Sequence, residues 1–466
     1  MIKILNAFIK LNIIRAICLG SLSSCTIFYS VDMYAAAAVP QPLIQSKLPI
    51  LTISQHSPQQ MGLEIGEKSK YIFPDIERRY DTHLAQILTQ THFDYLLKNQ
   101  LPLLMSQVDE AYKSEMKGVT AAWSIIQNNT LGDGFLSMDE YLILNLLPSM
   151  GFAPNGSGFA AFKYAAQNKH SIVGRNMDWK STPELRSLQA ITVYHSQDQS
   201  LVNIGFLGIV SILTGFNQHG LFLSYFNAEP YTPYSHRYKS NPVSKKIQSN
   251  IFSLRKTLED SDNIQKASQS LSRKMYSQAN NILIADKTKS EVLEYAPNHR
   301  VKTRHWKSAT HNNKPWSAKQ QIAVIDCNVL ASLPNNCKES KDNYHWHRLA
   351  QLAKFNPQHP AQERNISALL LDTKNDGHEI FNAQTLSSII FIPKSNALYL
   401  YAAPVEINNN TQAIHLAYLD LLPVSKGESS NNNRYSLQLI WFTLLLLLLI
   451  IVWIYKIPAK ILKKCK

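Results

Sequence analysis

The stretch that decides the fold runs from Asn155 to Trp179. It opens Asn155-Gly156-Ser157-Gly158-Phe159-Ala160-Ala161-Phe162, passes a polar turn around Gln167 to His170, and closes Val173-Gly174-Arg175-Asn176-Met177-Asp178-Trp179. Two short apolar runs joined by a polar turn predict a β-hairpin. Its first strand carries one hydroxyl, Ser157, in a turn of small residues. Its second strand returns Arg175 and Asp178 beside that hydroxyl.

Working outward, the two flanks differ in texture. Upstream, residues 39–57 are rich in Pro and Gln and read as a linker. Tyr80 to Leu97, Leu101 to Ala122 and Met138 to Leu147 then place apolar residues at three- and four-residue spacing, which predicts helices. Asp133 to Glu140 imitates half of an EF-hand loop, but in that register Leu131 falls on a ligand position and cannot bind calcium. Ser137 is read as a helix N-cap, with Glu140 completing a capping box. Downstream, Leu188 to His195, Leu201 to Leu213 and Leu221 to Phe226 are β-branched and apolar, hence strands. Asp262 to Met275 reads as helical. Asn281 to Asp286 with Glu291 to Tyr295 forms a hairpin, Tyr344 to Phe355 a helix, and Ser387 to Ile392 with Ala397 to Ala402 a late hairpin. Helices first and antiparallel hairpins after them predict an α+β fold of packed layers. Because no helical pattern follows Ser157, the strand–turn–helix elbow of α/β-hydrolases does not fit.

The two ends address a membrane. Residues 1–38 combine a basic start, an apolar region and Ala35 to Ala38, the pattern of a secretory signal peptide. Leu22-Ser23-Ser24-Cys25 offers an alternative, lipidation at Cys25. Leu437 to Tyr455 contains no charged residue and has six consecutive leucines; at about 1.5 Å rise per residue it is long enough to cross a bilayer. Lys456, Lys460, Lys463, Lys464 and Lys466 follow, and the positive-inside rule puts them in the cytoplasm. A flexible stalk, 424–436, precedes the span. The bulk of the chain is therefore expected outside the cytoplasm, periplasmic or extracellular. Half of the formal charge of +14 lies in these end segments, which leaves a mildly basic middle, and no clustered basic stripe points to nucleic acid. No cysteine or histidine spacing suggests a metal, and no cofactor motif is present. Cys327 and Cys337 either pair into a disulfide or remain small core residues.

Several stretches, in order, resemble the choloylglycine-hydrolase-like group of N-terminal-nucleophile (Ntn) enzymes, and within it the acyl-CoA:6-aminopenicillanic-acid acyltransferase-like branch. Gly62-Leu63-Glu64-Ile65-Gly66 and Tyr112 to Gly118 resemble the helical leader of that branch. Val173 to Trp179 is the most specific match. Gly215-Phe216-Asn217-Gln218-His219-Gly220-Leu221 with Asn227, then Asn280 to Asp286 with Glu294, and finally the late hairpin, complete the series. The resemblance implies a four-layer αββα sandwich at 157–423, preceded by a helical leader at 39–156. It implies hydrolysis or acyl transfer at the amide bond of a small acylated molecule. The implied site residues are Arg175 and Asp178, which orient the nucleophile, Asn227 as oxyanion donor, and Asn328 and Arg348 as a second Asn and a late Arg.

The family nucleophile is normally cysteine at a new chain terminus, where its own α-amine serves as base. An α-amine with a pKa near 8 suits proton transfer around neutral pH. Counting back from Phe159-Ala160-Ala161, that cysteine falls on Gly156, which has no side chain. Two readings follow, of which the first is the expectation and the second its alternative. In one, Ser157 is the nucleophile and the chain cuts itself between Gly156 and Ser157. In the other, the site is degenerate and the fold survives as an envelope binding or scaffold protein.

Overall fold

In the computed structural model, residues 48–422 are described, except 56, 196–198, 229–246, 312–317, 338–346, 349, 353–358, 375–378 and 406–415. Strand alternation sets the layers. In β2 (Asn155–Ala161) and β3 (Ile172–Asp178) the pairing runs Asn155↔Asp178, Gly156↔Met177, Ser157↔Asn176 and Gly158↔Arg175. Paired residues project to the same face, and neighbours along a strand to opposite faces. Ala160 and Val173 enter one apolar core, whereas Phe159, Ala161 and Ile172 enter another.

Six strands make the smaller sheet, in the order β11 (Gln321–Ile325), β2, β3, β12 (Thr385–Ile392), β13 (Ala397–Ala402) and β14 (Ala417–Asp420). The larger sheet has eight strands. It begins with β1 (Ile50–Ile53), β4 (Gln189–Tyr194), β5 (Leu201–Phe206) and β6 (Thr214–Asn217). It continues through β7 (Phe222–Asn227), β8 (Asn280–Ala285), β9 (Ser290–Tyr295) and β10 (Lys302–Arg304). Between the sheets lies a dry core that includes Val202, Phe216, Phe226, Leu283, Val324 and Phe391. The outer face of the larger sheet is covered by α1 (Pro58–Ile72), α2 (Ile76–Ile87), α3 (Gln90–Asn99), α4 (Leu101–Met105), α5 (Glu110–Ala122) and α6 (Met138–Leu146). Together with the short α7 (Pro183–Ser187), α8 (Asn250–Asp260) and α9 (Ile264–Ser272) they share one apolar core with that sheet. Helix α10 (Glu363–Leu370) covers the outer face of the smaller sheet, with Ile366 and Leu370 against Gly174. The layers are therefore helix, sheet, sheet, helix.

Local chemistry explains the helical layer. Ser57, Thr89 and Ser249 accept backbone hydrogen bonds at helix starts, and Ser137 with Glu140 forms the expected capping box. Helices α1 and α5 cross backbone to backbone. A Cβ on Gly62 would sit 1.9 Å from the Glu115 carbonyl oxygen, so only glycine fits. Trp123 Nε1 donates to the Gly66 carbonyl at 3.1 Å, and Tyr80 and Tyr141 donate to the carbonyls of Leu207 and Gly208. The deepest tie is ionic. Buried Arg255 of α8 meets Glu115 of α5 at 2.7 Å and Glu259 at 3.0 Å.

Several sequence expectations change. Ile50–Ile53, read within a linker, is an edge strand paired in parallel with β4. The run from Leu201 to Leu213 is not one strand: β5 stops at Phe206, and Gly208, at φ +74°, turns the chain under Trp123. Helix α8 lies in the charged stretch 236–277, which reads as having helical patches, of which Asp262 to Met275 is the one given bounds. The EF-hand imitation runs from a turn into the first residues of α6, and the turn is pinned by Asp81, whose carboxylate accepts from Gly132 N–H at 2.6 Å and Gly134 N–H at 2.7 Å. Cys327 and Cys337 form a disulfide. Of the helix expected from Tyr344 to Phe355, residues 347–348 and 350–352 are helical among the described residues. The signal segment, the stalk, the span Leu437 to Tyr455 and the basic tail lie outside the described residues. Among the described residues no helix is long and apolar enough to cross a membrane.

Candidate active site

The expected site residues gather where β2, β3 and β7 end together. Asp178, the last residue of β3, is the hub of one group. Its carboxylate takes Arg348 Nη2 at 2.7 Å, Thr385 Oγ1 at 2.8 Å and Asn382 Nδ2 at 3.1 Å. Arg348 also donates to Ser157 Oγ at 3.1 Å and to the Ile380 carbonyl at 3.0 Å. Ser157, Asp178 and Arg348 are thus brought into one buried chain of contacts. Asn176, opposite Ser157, donates to the Leu370 and Ile380 carbonyls. These partners lie on the α10 side of the smaller sheet.

Arg175 lies on the other face. It pairs with Gly158, where a Cβ would touch Phe226, Val324 and Leu283 in the core between the sheets. Its Nη2 donates to the Tyr225 carbonyl at 2.9 Å, and its guanidinium stands 5.2 Å from the Phe226 ring centre. Both partners belong to the larger sheet. Its Nε and Nη1 have no hydrogen-bond partner among the described residues. Burial pushes the Arg175 pKa down to about 9, against the opposing pull of Asp178.

Gly156 shares the face of Gly158 and Arg175. Its φ is +150°, and a Cβ there would come within 2.1 Å of the Asn176 carbonyl oxygen. Ser157, one residue on, is fully buried and faces the opposite way. A shift of one residue along a strand exchanges faces, so Ser157 does not sit beside Arg175 as a side chain at 156 would.

Asn227, the last residue of β7, closes the group from the larger sheet. Its Nδ2 donates to Asn155 Oδ1 at 3.1 Å, and its backbone N–H to the Pro154 carbonyl at 3.2 Å. Asn328 lies beyond the end of β11 and next to the disulfide. Its Nδ2 donates to the Tyr295 carbonyl at 3.0 Å, and its N–H to Asn336 Oδ1 at 2.6 Å, so its described bonds brace the loop. Sequence reading missed Asn155, Asn382 and Thr385. The first opens the key hairpin and was legible there. The other two, Asn382 in the loop before β12 and Thr385 at its first position, lie far along the chain, and no local pattern marks them.

The chain matches the family described as acyl-coenzyme A:6-aminopenicillanic acid acyl-transferase over residues 165–404, about half its length. It belongs to that family. The match covers Arg175, Asp178, Asn227, Asn328 and Arg348, and starts after Gly156 and Ser157. The family assignment therefore rests on the return strand of the hairpin and the sheets and helices downstream of it, while the leader stretches Gly62 to Gly66 and Tyr112 to Gly118 lie outside the matched residues. Among solved structures, a Caenorhabditis elegans N-acylethanolamine-hydrolyzing acid amidase ortholog aligns at 14% identity and TM-score 0.39, covering 53% of this chain and 100% of its own. A penicillin V acylase from Agrobacterium tumefaciens aligns at 12% and 0.35, covering 57% and 86%. A conjugated bile acid hydrolase from Clostridium perfringens aligns at 11% and 0.31, covering 57% and 92%. At these scores the likeness adds no argument to the family match. A search of curated proteins finds no match. Among the described residues no group of His, Cys, Asp and Glu is arranged to hold a metal ion.

Proposed function

We propose that this family member binds the amide of a small acylated molecule at the strand ends around Arg175, Asp178 and Asn227, without a nucleophile of its own. The observation that carries this reading is glycine at position 156, on the face of Arg175, where the family resemblance puts the cysteine. Arg175 supports it as well. A buried guanidinium with two donor nitrogens lacking described partners favours a polar or anionic group brought by a ligand. The chain is proposed to work outside the cytoplasm, held by the span Leu437 to Tyr455 after removal of residues 1–38. Protease protection of sealed membranes checks that: the large fragment should be digested from the outer side only.

The decisive experiment is a denaturing gel of the purified full chain, with N-terminal sequencing and an assay on N-acyl amides. The expected result is one chain with no fragment starting at Ser157 and no turnover. A fragment starting at Ser157, lost in Ser157→Ala, overturns the reading.

That outcome would favour the alternative, an Ntn hydrolase or acyltransferase acting through Ser157, and one contact speaks for it. Ser157 Oγ lies against Arg348, itself paired with Asp178. After scission, Ser157 Oγ would attack the acyl carbonyl while its freed α-amine takes the proton and then passes it to the departing amine as the C–N bond breaks. The Asn227 side-chain N–H would stabilise the oxyanion.

A further inference from the structure

A cavity lies between the helical layer and the larger sheet, away from the hydrogen-bonded cluster. Apolar residues, among them Leu144, Trp179, Leu185, Phe206 and Leu213, make most of its wall, and the polar groups of His83 and Ser211 join them, the Tyr80 hydroxyl being spent on the Leu207 carbonyl. It touches the strand-end cluster through sequence, since Trp179 follows Asp178. An apolar hollow with a few convergent polar groups is the usual form of a small-ligand site. Its volume of about 30 Å³ admits a chain end rather than a whole molecule.

The polar edge of His83 can be assigned. Its Nδ1 lies 3.2 Å from Thr182 Oγ1. That hydroxyl oxygen already accepts the Leu185 N–H at 3.1 Å as the cap of α7. The Thr182 hydrogen has no other described acceptor; given to Nδ1, it leaves the ring proton on Nε2. The described hydrogen bond of the ring is the one through Nδ1, and Nε2 bonds no other described residue. Burial holds the ring neutral, with its pKa pushed down to about 4. His83 therefore presents a neutral N–H donor within an apolar wall.

We infer that this pocket takes the end of a short apolar chain that carries an acceptor oxygen, a ketone, ether or hydroxyl, and that His83 Nε2–H selects for that oxygen. The inference rests on the acylated-ligand reading above and names which acyl chains fit. A plain hydrocarbon end would leave the His83 donor dry and unpaired. Such a mismatch disfavours the wrong ligand more than a missing apolar contact does.

Calorimetry on the detergent-solubilised full chain tests it with two probes, N-methylhexanamide and N-methyl-5-oxohexanamide. The oxo probe should bind about five- to tenfold tighter, the worth of one buried hydrogen bond. His83→Phe should abolish that preference, and His83→Gln, which keeps an N–H donor, should retain most of it. Leu213→Trp, which fills the hollow, should weaken both probes at least about tenfold. Equal binding of the two probes by the unaltered chain overturns the inference but leaves the acyl-amide reading standing. So does a preference that survives His83→Phe, or binding that survives Leu213→Trp. Should His83→Phe not fold, the other two variants decide. Failure of the unaltered chain to bind either probe overturns the acyl-amide reading together with the pocket.

Discussion

Arg255 and Arg175 are both fully buried, and their surroundings could hardly differ more. Arg255 ties the helical layer to the larger sheet. It pairs with Glu115 and Glu259, donates to the Val210 carbonyl at 2.8 Å, and stacks on Tyr112 and Tyr194. Burial alone would lower its pKa, but Glu115 and the other anionic partners hold it well above the ordinary value. Arg175 has a carbonyl, an aromatic face and the more distant Asp178, and its pKa falls. A cation whose charge is matched inside the protein is part of the scaffold. A cation left largely unmatched is a cost that the fold carries, and the proposed binding of an acyl amide would give that cost a use.

This contrast can be broken by mutation, and the largest effect should come from the matched pair. Glu115→Ala leaves the Arg255 charge without its closest partner and should destabilise the protein by about 3–5 kcal/mol, read by chemical denaturation. A loss under about 1 kcal/mol would erase the distinction between the two arginines. Next comes the pH response of His83, a buried polar group in the same interface. Its folded pKa of about 4 is below its unfolded value of 6.5. Its contribution to stability is therefore full above the unfolded value and is lost as pH falls from there through about 4. The acid-side loss should reach about 3 kcal/mol and should flatten in His83→Phe when the denaturation midpoint is followed against pH.

Gly62→Ala tests how tightly the helix layer holds Glu115 in place. The added methyl meets the Glu115 carbonyl, and a cost of about 1–3 kcal/mol is expected by thermal melting. Smallest is Arg175→Met. Removing an unmatched buried charge should be neutral or stabilise by about 1 kcal/mol, while weakening acyl-amide binding at least about tenfold by calorimetry. A large loss of stability would place Arg175 with Arg255 as scaffold.

Much of this was legible in the sequence, and the parts that were not have physical reasons. The hairpin from Asn155 to Trp179, the capping box at Ser137 and the family of the return strand come from local pattern, because alternation and capping act over a few residues. The edge strand at Ile50–Ile53 is only four residues long, and its partner lies far along the chain. No local period distinguishes it from a linker. Asn382 and Thr385 reach Asp178 only through the packing of β12 beside β3. The two faces at Gly156 and Ser157 were implicit in strand alternation, but which of them Arg175 shares depended on the register Gly158↔Arg175.

The edge strand also bears on how the protein comes to exist. Ile50 pairs with Ile191, so the border of the larger sheet closes only when distant parts of the chain meet, a slow kind of contact to make. Expression of 157–423 by itself would leave β4 as a bare border, with unpaired backbone groups open to other chains. The boundary at residue 156 separates two stretches of sequence but not two folding units. A soluble preparation should begin before Ile50.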